Sequence, residues 1–276
     1  MTSTTTQPIA TATEPAPGST IAVWFSCGAA SAVAAKLTLK RWGDRCNVRI
    51  INNPVAEEDP DNRRFLADVE RWLGVEIELA INPKYPNCSA VEVWEKRKYM
   101  AGVGGAPCTG ELKRKARQAW EALNLFNFAL DNWLVLGFTA SERDRHEDFT
   151  LTERPNLLPV LIDAGLTKAD CFRIVQQAGI RLPQPYLEGL PNANCIGCVK
   201  ATSPTYWNLI RKKYPQQFAE RAEQSRRLGV RLVEYKGQRI FLDELDPAAK
   251  GGRLKGLDFE CGIFCEEKPT ERLAIA

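Results

Sequence analysis

The chain has 276 residues, of which 44% are hydrophobic and 26% are charged, and its formal net charge at pH 7 is +3. The length suits one large domain with a sizeable core, and the composition is ordinary for a globular protein. A charge this small does not by itself demand a nucleic-acid partner, although local clusters of basic residues remain to be explained.

The predicted elements begin after a Thr-, Pro- and Ala-rich segment over 1–19. This segment lacks the pattern of a signal peptide, and from its composition we expect a disordered tail. An apolar run over 21–25 is typical of a buried strand, and the Ala- and Leu-rich segment 31–42 of a helix. The pattern continues with a strand over 47–52, a helix over 62–74 and a strand over 75–81. This alternation predicts a doubly wound, mainly parallel α/β sheet.

Residues 83–110 are irregular apart from a short helix near 90–100. The later predicted elements are a basic helix over 111–123, a strand over 132–138, a helix over 166–180 capped by Thr167, a helical segment over 203–228 and a hairpin over 230–245 turning at Lys236 and Gly237. His146, the only histidine, is expected in a charged loop. No segment is long and apolar enough for a membrane span, so we expect a cytoplasmic protein without a membrane partner.

The turn after the first predicted strand, Ser26-Cys27-Gly28-Ala29-Ala30-Ser31, has almost no side-chain bulk. Ligands of open α/β sheets bind beyond the carboxyl ends of the strands. Small residues there let backbone N–H groups approach a phosphate, and the following helix N-terminus adds favourable partial charge. The turn therefore predicts an anion site, with a plain tight turn as the alternative. The predicted nucleotide-binding residues are Ser26, Cys27, Gly28, Ala29, Ser31, Asn52, Gly137 and Lys113.

Nine cysteines in a reducing compartment favour metal binding or thiol chemistry over structural disulfides. Cys195 and Cys198 form a CxxC pair, which suits two corners of a tetrahedral thiolate site, and Cys108 precedes the basic helix. Four clustered cysteines are enough for zinc or for a [4Fe–4S] cluster. The predicted metal ligands are Cys108, Cys195, Cys198, Cys261 and Cys265, whereas Cys46, Cys88 and Cys171 are interpreted as small apolar fillers.

The basic cluster Lys113, Arg114, Lys115 and Arg117 has two interpretations. The simpler one is a solvated helix face, and the alternative is contact with phosphates or a polyanion. His146 is the one residue that a histidine-dependent hydrolytic triad has available, and a centre with two histidine ligands is impossible.

Residues 26–31 resemble the pyrophosphate-binding loop of the adenine nucleotide alpha-hydrolase-like superfamily, usually Ser-Gly-Gly-x-Asp-Ser. Ser26, Gly28 and Ser31 match, Cys27 replaces the first Gly, and Ala30 replaces the Asp. In ATP-cleaving members that Asp helps to handle the metal-bound pyrophosphate. The resemblance therefore implies that the chain binds an adenine nucleotide, and Ala30 speaks against cleavage of ATP.

The cysteine motifs look like those of the PAPS/APS (phosphoadenosine phosphosulfate) reductase family. Its cluster-bearing members have a Cys-Cys pair with a basic stretch upstream of a CxxC pair; here Cys108 matches the second Cys, and Pro107 stands in place of the first. Residues 260–263, Glu-Cys-Gly-Ile, match the family's C-terminal Glu-Cys-Gly-Leu/Ile-His signature, but Phe264-Cys265 replaces the His. The long interval from Cys198 to Cys261 resembles divergent members from phage and mobile-element genomes.

The resemblance implies three candidate functions. The first is a sulfonucleotide reductase that binds APS or PAPS, with Cys261 as nucleophile, Arg143 and Arg145 on the anion, and a thioredoxin-like thiol donor. The second is an ATP-dependent sulfur-insertion enzyme that acts on nucleic acid, with a three-cysteine cluster and a sulfur donor. The third is a non-catalytic nucleotide-binding module stabilised by a cluster or zinc. We favour Cys261 as fourth ligand, because Pro107 leaves a vacancy.

These expectations divide the chain into three parts. A nucleotide-binding α/β domain over 20–190 follows the tail, and a Cys-rich, metal-bound region with a helix and a hairpin occupies 191–276.

Overall fold

A computed structural model of the protein describes residues 14–102, 105–127 and 131–252. The strands are β1 (Thr20–Phe25), β2 (Asn47–Asn52), β3 (Ile77–Leu79), β4 (Asn132–Val135), β5 (Leu157–Leu158), β6 (Val233–Tyr235) and β7 (Gln238–Ile240). The α-helices are α1 (Ala29–Trp42), α2 (Asp61–Leu73), α3 (Ala90–Arg97), α4 (Lys115–Leu123), α5 (Arg143–Thr152), α6 (Val160–Asp163), α7 (Lys168–Gln177), α8 (Gln184–Leu187), α9 (Pro204–Lys213) and α10 (Pro215–Arg227). A π-helical segment, Thr109–Arg114, leads into α4, and 3-10 turns form at Ala140–Glu142 and Leu242–Glu244.

Five parallel strands form the central sheet in the order β3-β2-β1-β4-β5. The chain winds outward from β1 through β2 to β3, then crosses to β4 on the other side of β1. The strand order therefore reverses between β1 and β4, which is the point at which open α/β sheets bind ligands. The predicted parallel α/β sheet is confirmed.

Helices pack on both faces of this sheet, as a doubly wound arrangement requires. On one face, β1 places Ile21, Val23 and Phe25 against α1, α2 and α7. On the other, Trp24 meets Trp120 of α4 edge to face, with ring centroids 5.7 Å apart. Because side chains alternate along a strand, a strand that is buried on both faces must be continuously apolar, as β1 is from Ile21 to Phe25.

A second core lies beside the sheet and is drawn from two distant parts of the chain. Tyr85 and Trp94 come from the segment after β3, whereas Trp207, Ile210 and Phe218 come from α9 and α10. Trp207 is fully buried, and its indole N–H donates to Ala201 O at 2.9 Å. The core thus takes residues from both sides of residue 190, and the predicted boundary there stays a prediction.

Several local predictions are confirmed. Thr167 caps α7 in a capping box with Asp170. The hairpin forms between β6 and β7, and both turn residues, Lys236 and Gly237, have the positive φ of a tight hairpin turn.

Four local predictions need correction. The single helical segment over 203–228 is two helices, because Tyr214 leaves the helical conformation before Pro215, which starts α10. The strand over 75–81 is only Ile77–Leu79, and the strand over 132–138 is only Asn132–Val135. His146 lies on α5 and not in a loop. The polar sequence of α5 hides the periodicity that would have revealed this helix.

Within the three described ranges, no helix is long and apolar enough to cross a membrane.

Glu57 connects the loop after β2 to the second core, which allows a test of that connection. Its carboxylate accepts hydrogen bonds from Ala90 N at 2.7 Å, Ser89 Oγ at 2.7 Å and Val91 N at 3.2 Å, at the N-terminus of α3. Removing a helix cap that buries several donors costs about 1–3 kcal/mol. We therefore expect Glu57→Ala to lower the free energy of unfolding in urea by about that amount. Glu76→Ala, at an exposed position before β3, is the control and should change it by under about 0.5 kcal/mol; equal effects would contradict the role of Glu57.

Candidate functional site

The β1–α1 turn is closed by the hydroxyl of Ser31. This hydroxyl donates to Gly28 O at 2.9 Å and accepts from Ser26 N at 3.1 Å. Ser31 is buried, whereas Ser26 is exposed at the end of the strand. Ser31 therefore shapes the turn, and Ser26 is the hydroxyl that a ligand can reach.

Three of the predicted nucleotide-binding residues lie behind the turn. Cys27 is buried, and Asn52 donates to Phe25 O at 2.8 Å and to the Cys27 sulfur at 3.6 Å. Burial raises the pKa of the Cys27 thiol well above its ordinary value. Ala29 is fully buried, and its amide hydrogen-bonds to the Tyr186 hydroxyl. Cys27, Ala29 and Asn52 thus support the turn from inside, and their contact with a nucleotide stays a prediction.

Gly137, just after β4, lies against the first turn of α1. A Cβ atom at this position would be 2.9 Å from Ser31 N and 3.1 Å from Ser31 Cα. Both are backbone atoms, which cannot move aside cheaply. A residue without a side chain is therefore required where the loops after β1 and β4 meet.

A cleft of about 330 Å³ opens at this point, at the lower end of the size range of small-molecule sites. Trp24, Phe25, Leu136 and Phe149 form its apolar walls. Its other lining residues are Ser26, Asn53, Glu58, Thr109, Lys113, Arg114, Arg117, Gly137 and Glu153. The cleft thus joins three of the predicted nucleotide-binding residues, Ser26, Lys113 and Gly137, to two further cations of the predicted basic helix, Arg114 and Arg117.

Arg117 is a largely buried cation, with 13% of its side chain exposed. Its Nε has no hydrogen-bond partner among the described residues and lies 3.7 Å from Glu121 Oε1, while Nη2 lies 3.7 Å from Glu153. Burial lowers the pKa of this guanidinium. A buried N–H without an acceptor costs about 1–3 kcal/mol, so an anion bound in the cleft would offset part of that cost.

Glu58 and Lys113 connect the cleft to the cysteines. Both line the cleft, and both interact electrostatically with Cys27 and Cys195. Burial raises the pKa of the Glu58 carboxyl, while Lys113 and a hydrogen bond from Asn62 at 3.2 Å oppose the shift.

The loop carrying the CxxC pair is held to this edge of the sheet by backbone pairing. Glu58 and Cys195 form an antiparallel bridge, and Ile196 N donates to Glu57 O at 2.9 Å. Cys198 N in turn donates to the Tyr206 hydroxyl at 2.8 Å.

Cys108, Cys195 and Cys198 share one neighbourhood beside the second core. Cys195 interacts electrostatically with both of the others, and Cys108 with Cys198. Burial raises the pKa of the Cys195 and Cys108 thiols, and Lys113 opposes both shifts. Three of the five predicted metal ligands are therefore brought together. Cys261 and Cys265 lie outside the described residues.

A buried arginine faces the same loop. Arg221 is 2% exposed, stacks on Trp94 with its guanidinium 4.5 Å from the ring centroid, and has an Nε without a hydrogen-bond partner in the described part of the chain. That nitrogen is 3.6 Å from where a Cβ on Gly197 would be, between Cys195 and Cys198. Gly197 has a φ of +67°, a backbone conformation that favours glycine.

No group of three or more His, Cys, Asp or Glu side chains within residues 14–102, 105–127 and 131–252 is arranged to hold a metal ion. The metal-bound extension predicted from the sequence is therefore not seen, and metal binding by the three cysteines stays a prediction.

The predicted anion-binding residues Arg143 and Arg145 are exposed on α5, and neither is among the residues that line the cleft. Arg145 pairs with Glu142 and lies over Phe138, 5.1 Å from the ring centroid. Their contact with a ligand stays a prediction.

Sequence reasoning missed Asn53, Glu58, Arg117 and Arg221 as candidates. For Asn53 and Glu58 a signal existed, because they follow the second predicted strand, next to the anion turn. Arg117 was noted only as one of a basic cluster. Arg221 is one of several arginines on a polar helix, and only the fold distinguishes it.

Neither models of protein families nor curated protein sequences match the chain.

His146 allows a clean test of this part of the structure, because it is the only histidine. It is 9% exposed, and its Nε2 lies 3.2 Å from Leu157 O. Burial lowers its pKa below the ordinary value of 6.5. We expect its single imidazole Hε1 NMR signal to titrate below that value in the folded protein and near it in urea.

The same shift fixes the sign of a stability change. Between the folded and unfolded pKa values the unfolded chain binds more protons, so the contribution of His146 to stability is lost as pH falls through that window. A pKa of His146 at or above 6.5 in the folded protein would contradict its buried position.

Proposed function

We propose that the protein binds an adenine nucleotide, such as adenylyl sulfate, in the cleft between β1 and β4. We further propose that the adjacent cysteines act on sulfur, in transfer or reduction. The observation that carries the proposal is the position of Lys113, which lines the cleft and interacts electrostatically with Cys195 and Cys108. The Lys113 ammonium can thus stabilise a phosphate or sulfate in the cleft and a thiolate of the neighbouring cysteines.

The chemistry of the cleft supports a nucleotide. Lys113, Arg114 and Arg117 supply positive charge for phosphate, and Arg117 Nε offers a buried N–H without an acceptor among the described residues. Trp24 and Phe149 provide aromatic surface on which a base can stack. Ser26 adds a hydroxyl at the mouth of the β1–α1 turn.

The cysteine neighbourhood supports a group that takes sulfur ligands. Thiolates select zinc, copper(I) and iron–sulfur clusters. Cys108, Cys195 and Cys198 supply three sulfurs, and the buried Nε–H of Arg221 lies beside the loop that carries two of them. An N–H in that place suits an anionic sulfur acceptor, and a buried cation offsets the charge of several thiolates. The ligand chemistry of these residues therefore suits a cluster or a zinc ion, while their side chains are not arranged around a metal in the described part of the chain.

In this proposal Cys108, Cys195 and Cys198 hold the metal group, with Cys261 or Cys265 as a further ligand. A [4Fe–4S] cluster would supply electron-transfer or sulfur-carrying chemistry when bound, whereas zinc, the alternative, is redox-inert and would hold the cysteine loop in place. The chain's own residues orient the nucleotide. Lys113 and Arg114 bind its anionic groups, and the turn that Ser31 closes sets the position of Ser26. The aromatic walls of the cleft exclude water.

The nucleotide half is tested by titration calorimetry with AMP, ATP and adenylyl sulfate. We expect Arg114→Gln to weaken binding about 5- to 30-fold, as for the loss of one charge-assisted contact. Gly28→Asp should abolish binding, because its Cβ would lie 3.0 Å from Tyr186 Oη and its carboxylate would face the bound anion. Lys212→Gln, at an exposed position on α9, is the control. If the wild type binds none of the three nucleotides, or Arg114→Gln binds as the wild type does, the assignment is wrong.

The metal half is tested by iron, zinc and acid-labile sulfide content after anaerobic purification. We expect iron and sulfide in the wild type, their loss in Cys108→Ser and Cys195→Ser, and their retention in Cys88→Ser, since Cys88 lies outside the three-cysteine neighbourhood. Arg221→Lys and Arg221→Gln should keep iron but lower the reduction potential of the cluster. Arg221→Lys removes the Nε–H and keeps the positive charge, whereas Arg221→Gln removes both, and both features favour the reduced cluster. Zinc alone would exclude the cluster, and full iron in Cys195→Ser would exclude the ligand set.

A further inference from the structure

Cationic side chains converge on Tyr85, outside the cleft. The Nζ atoms of Lys84 and Lys96 lie 5.8 Å and 5.1 Å from the centre of its ring. Lys84 follows β3 and Lys96 belongs to the last turn of α3, so two separate segments bring their charges to one place. Both side chains are exposed, while the ring beneath them is buried.

A second convergence links this place to the cleft. Arg97 and Lys115 both bind Oε1 of Glu111, the lysine at 2.9 Å, and the Glu111 side chain is buried. Lys113 and Arg114 belong to the same π-helical segment as Glu111 and line the cleft. Six cations therefore form a continuous basic strip from Tyr85 to the cleft: Lys84, Lys96, Arg97, Lys115, Arg114 and Lys113.

The strip concentrates positive charge. Its carboxylate neighbours are Glu92, bound to Lys96, Glu111, and Glu58, which interacts with Lys113, so six cations and three carboxylates leave a local excess of three positive charges. That excess equals the net charge of the whole chain, +3. The strip is therefore a surface to which a polyanion is attracted.

We propose that the basic strip binds a single-stranded nucleic acid, whose backbone runs along it toward the cleft. A mononucleotide in the cleft can use Lys113 and Arg114 but leaves the other four cations of the strip without a bound phosphate. Surfaces that bind proteins are depleted in lysine, whereas phosphate backbones are bound by rows of Lys and Arg.

Three features favour a single strand. The strip is narrow, because its cations converge on one ring and one carboxylate. Tyr99, two residues beyond Arg97, is 36% exposed and offers an aromatic face for a base. The strip also ends at a cleft that holds about one nucleotide. The idea that the nucleic acid strand accepts sulfur rests on the proposed function. The binding of the strand to the basic strip does not depend on it.

The test measures binding of a fluorescein-labelled, single-stranded RNA of about 20 nucleotides and mixed sequence by fluorescence anisotropy. Six phosphate contacts predict a slope of about −4 for log affinity against log salt concentration. Affinity should therefore fall roughly 300-fold between about 50 and 200 mM NaCl. A duplex of the same sequence should bind more weakly.

The deciding variant is Lys84→Gln/Lys96→Gln, which changes the strip away from the cleft. We expect it to weaken RNA binding about tenfold or more at low salt, and to reduce the slope by about 1.4. The matched control is Arg63→Gln/Lys212→Gln, which removes the same charge from exposed positions on α2 and α9 and should bind RNA within about twofold of the wild type.

Equal losses in the two double variants, or no RNA binding by the wild type at low salt, would overturn the proposal. So would competition by polyglutamate as effective as that by unlabelled RNA, which would assign the strip to an acidic protein. AMP calorimetry on the same preparations separates the two ideas: RNA binding without AMP binding rejects the nucleotide cleft and keeps the strip, whereas AMP binding without RNA binding does the reverse.

Discussion

The backbone pairing between Glu58 and Cys195 is the constraint on which the arrangement of the candidate site depends. These residues are far apart in the chain, yet their bridge, with the bond from Ile196 N to Glu57 O, fixes the cysteine loop to the carboxyl edge of the sheet. The side chain of Glu57 caps α3 from the same loop, so the sheet, α3 and the cysteine loop are joined through two consecutive residues. These contacts hold the segment with α3 and the cysteine loop next to each other, and the second core lies between these distant parts of the chain.

This arrangement concentrates charge where water is largely excluded. Arg117 and Arg221 each bury an Nε that has no hydrogen-bond partner among the described residues. Leaving a buried donor unpaired opposes folding, and most proteins avoid it. Arg117 lines the cleft and the Arg221 nitrogen lies beside the cysteine loop, the places proposed for a nucleotide and for a metal group. Anionic ligands at both places would offset the buried positive charge, so the folded chain should gain stability from the ligands that it is proposed to bind.

The parts that could be predicted from the sequence are those set by local patterns. The apolar run of β1, the small residues after it, the Thr167 cap and the turn at Lys236 and Gly237 each act within a few residues, and each is found in the structure. The helix α5 could not be predicted, because its ten residues are mostly polar and His146 is the one buried residue among them. Glu58 and Arg221 acquire their roles through contacts with residues more than twenty positions away, which no local pattern reveals.

The turn over 26–31 differs at two positions from the superfamily pattern that it resembles, and the two differences have different physical consequences. Cys27 replaces a glycine but keeps the backbone geometry that a glycine would allow, with a φ of 55°, and its buried thiol meets Asn52. The turn therefore retains its shape despite the substitution. Ala30 replaces an acid, and nothing compensates for the lost charge within the turn. The carboxylates that line the cleft are Glu58 and Glu153; the first interacts with Lys113 and the second with Arg117. A cleft whose acids are matched by cations favours an anionic nucleotide over a metal-bound pyrophosphate, because a divalent cation needs carboxylates that are free to bind it.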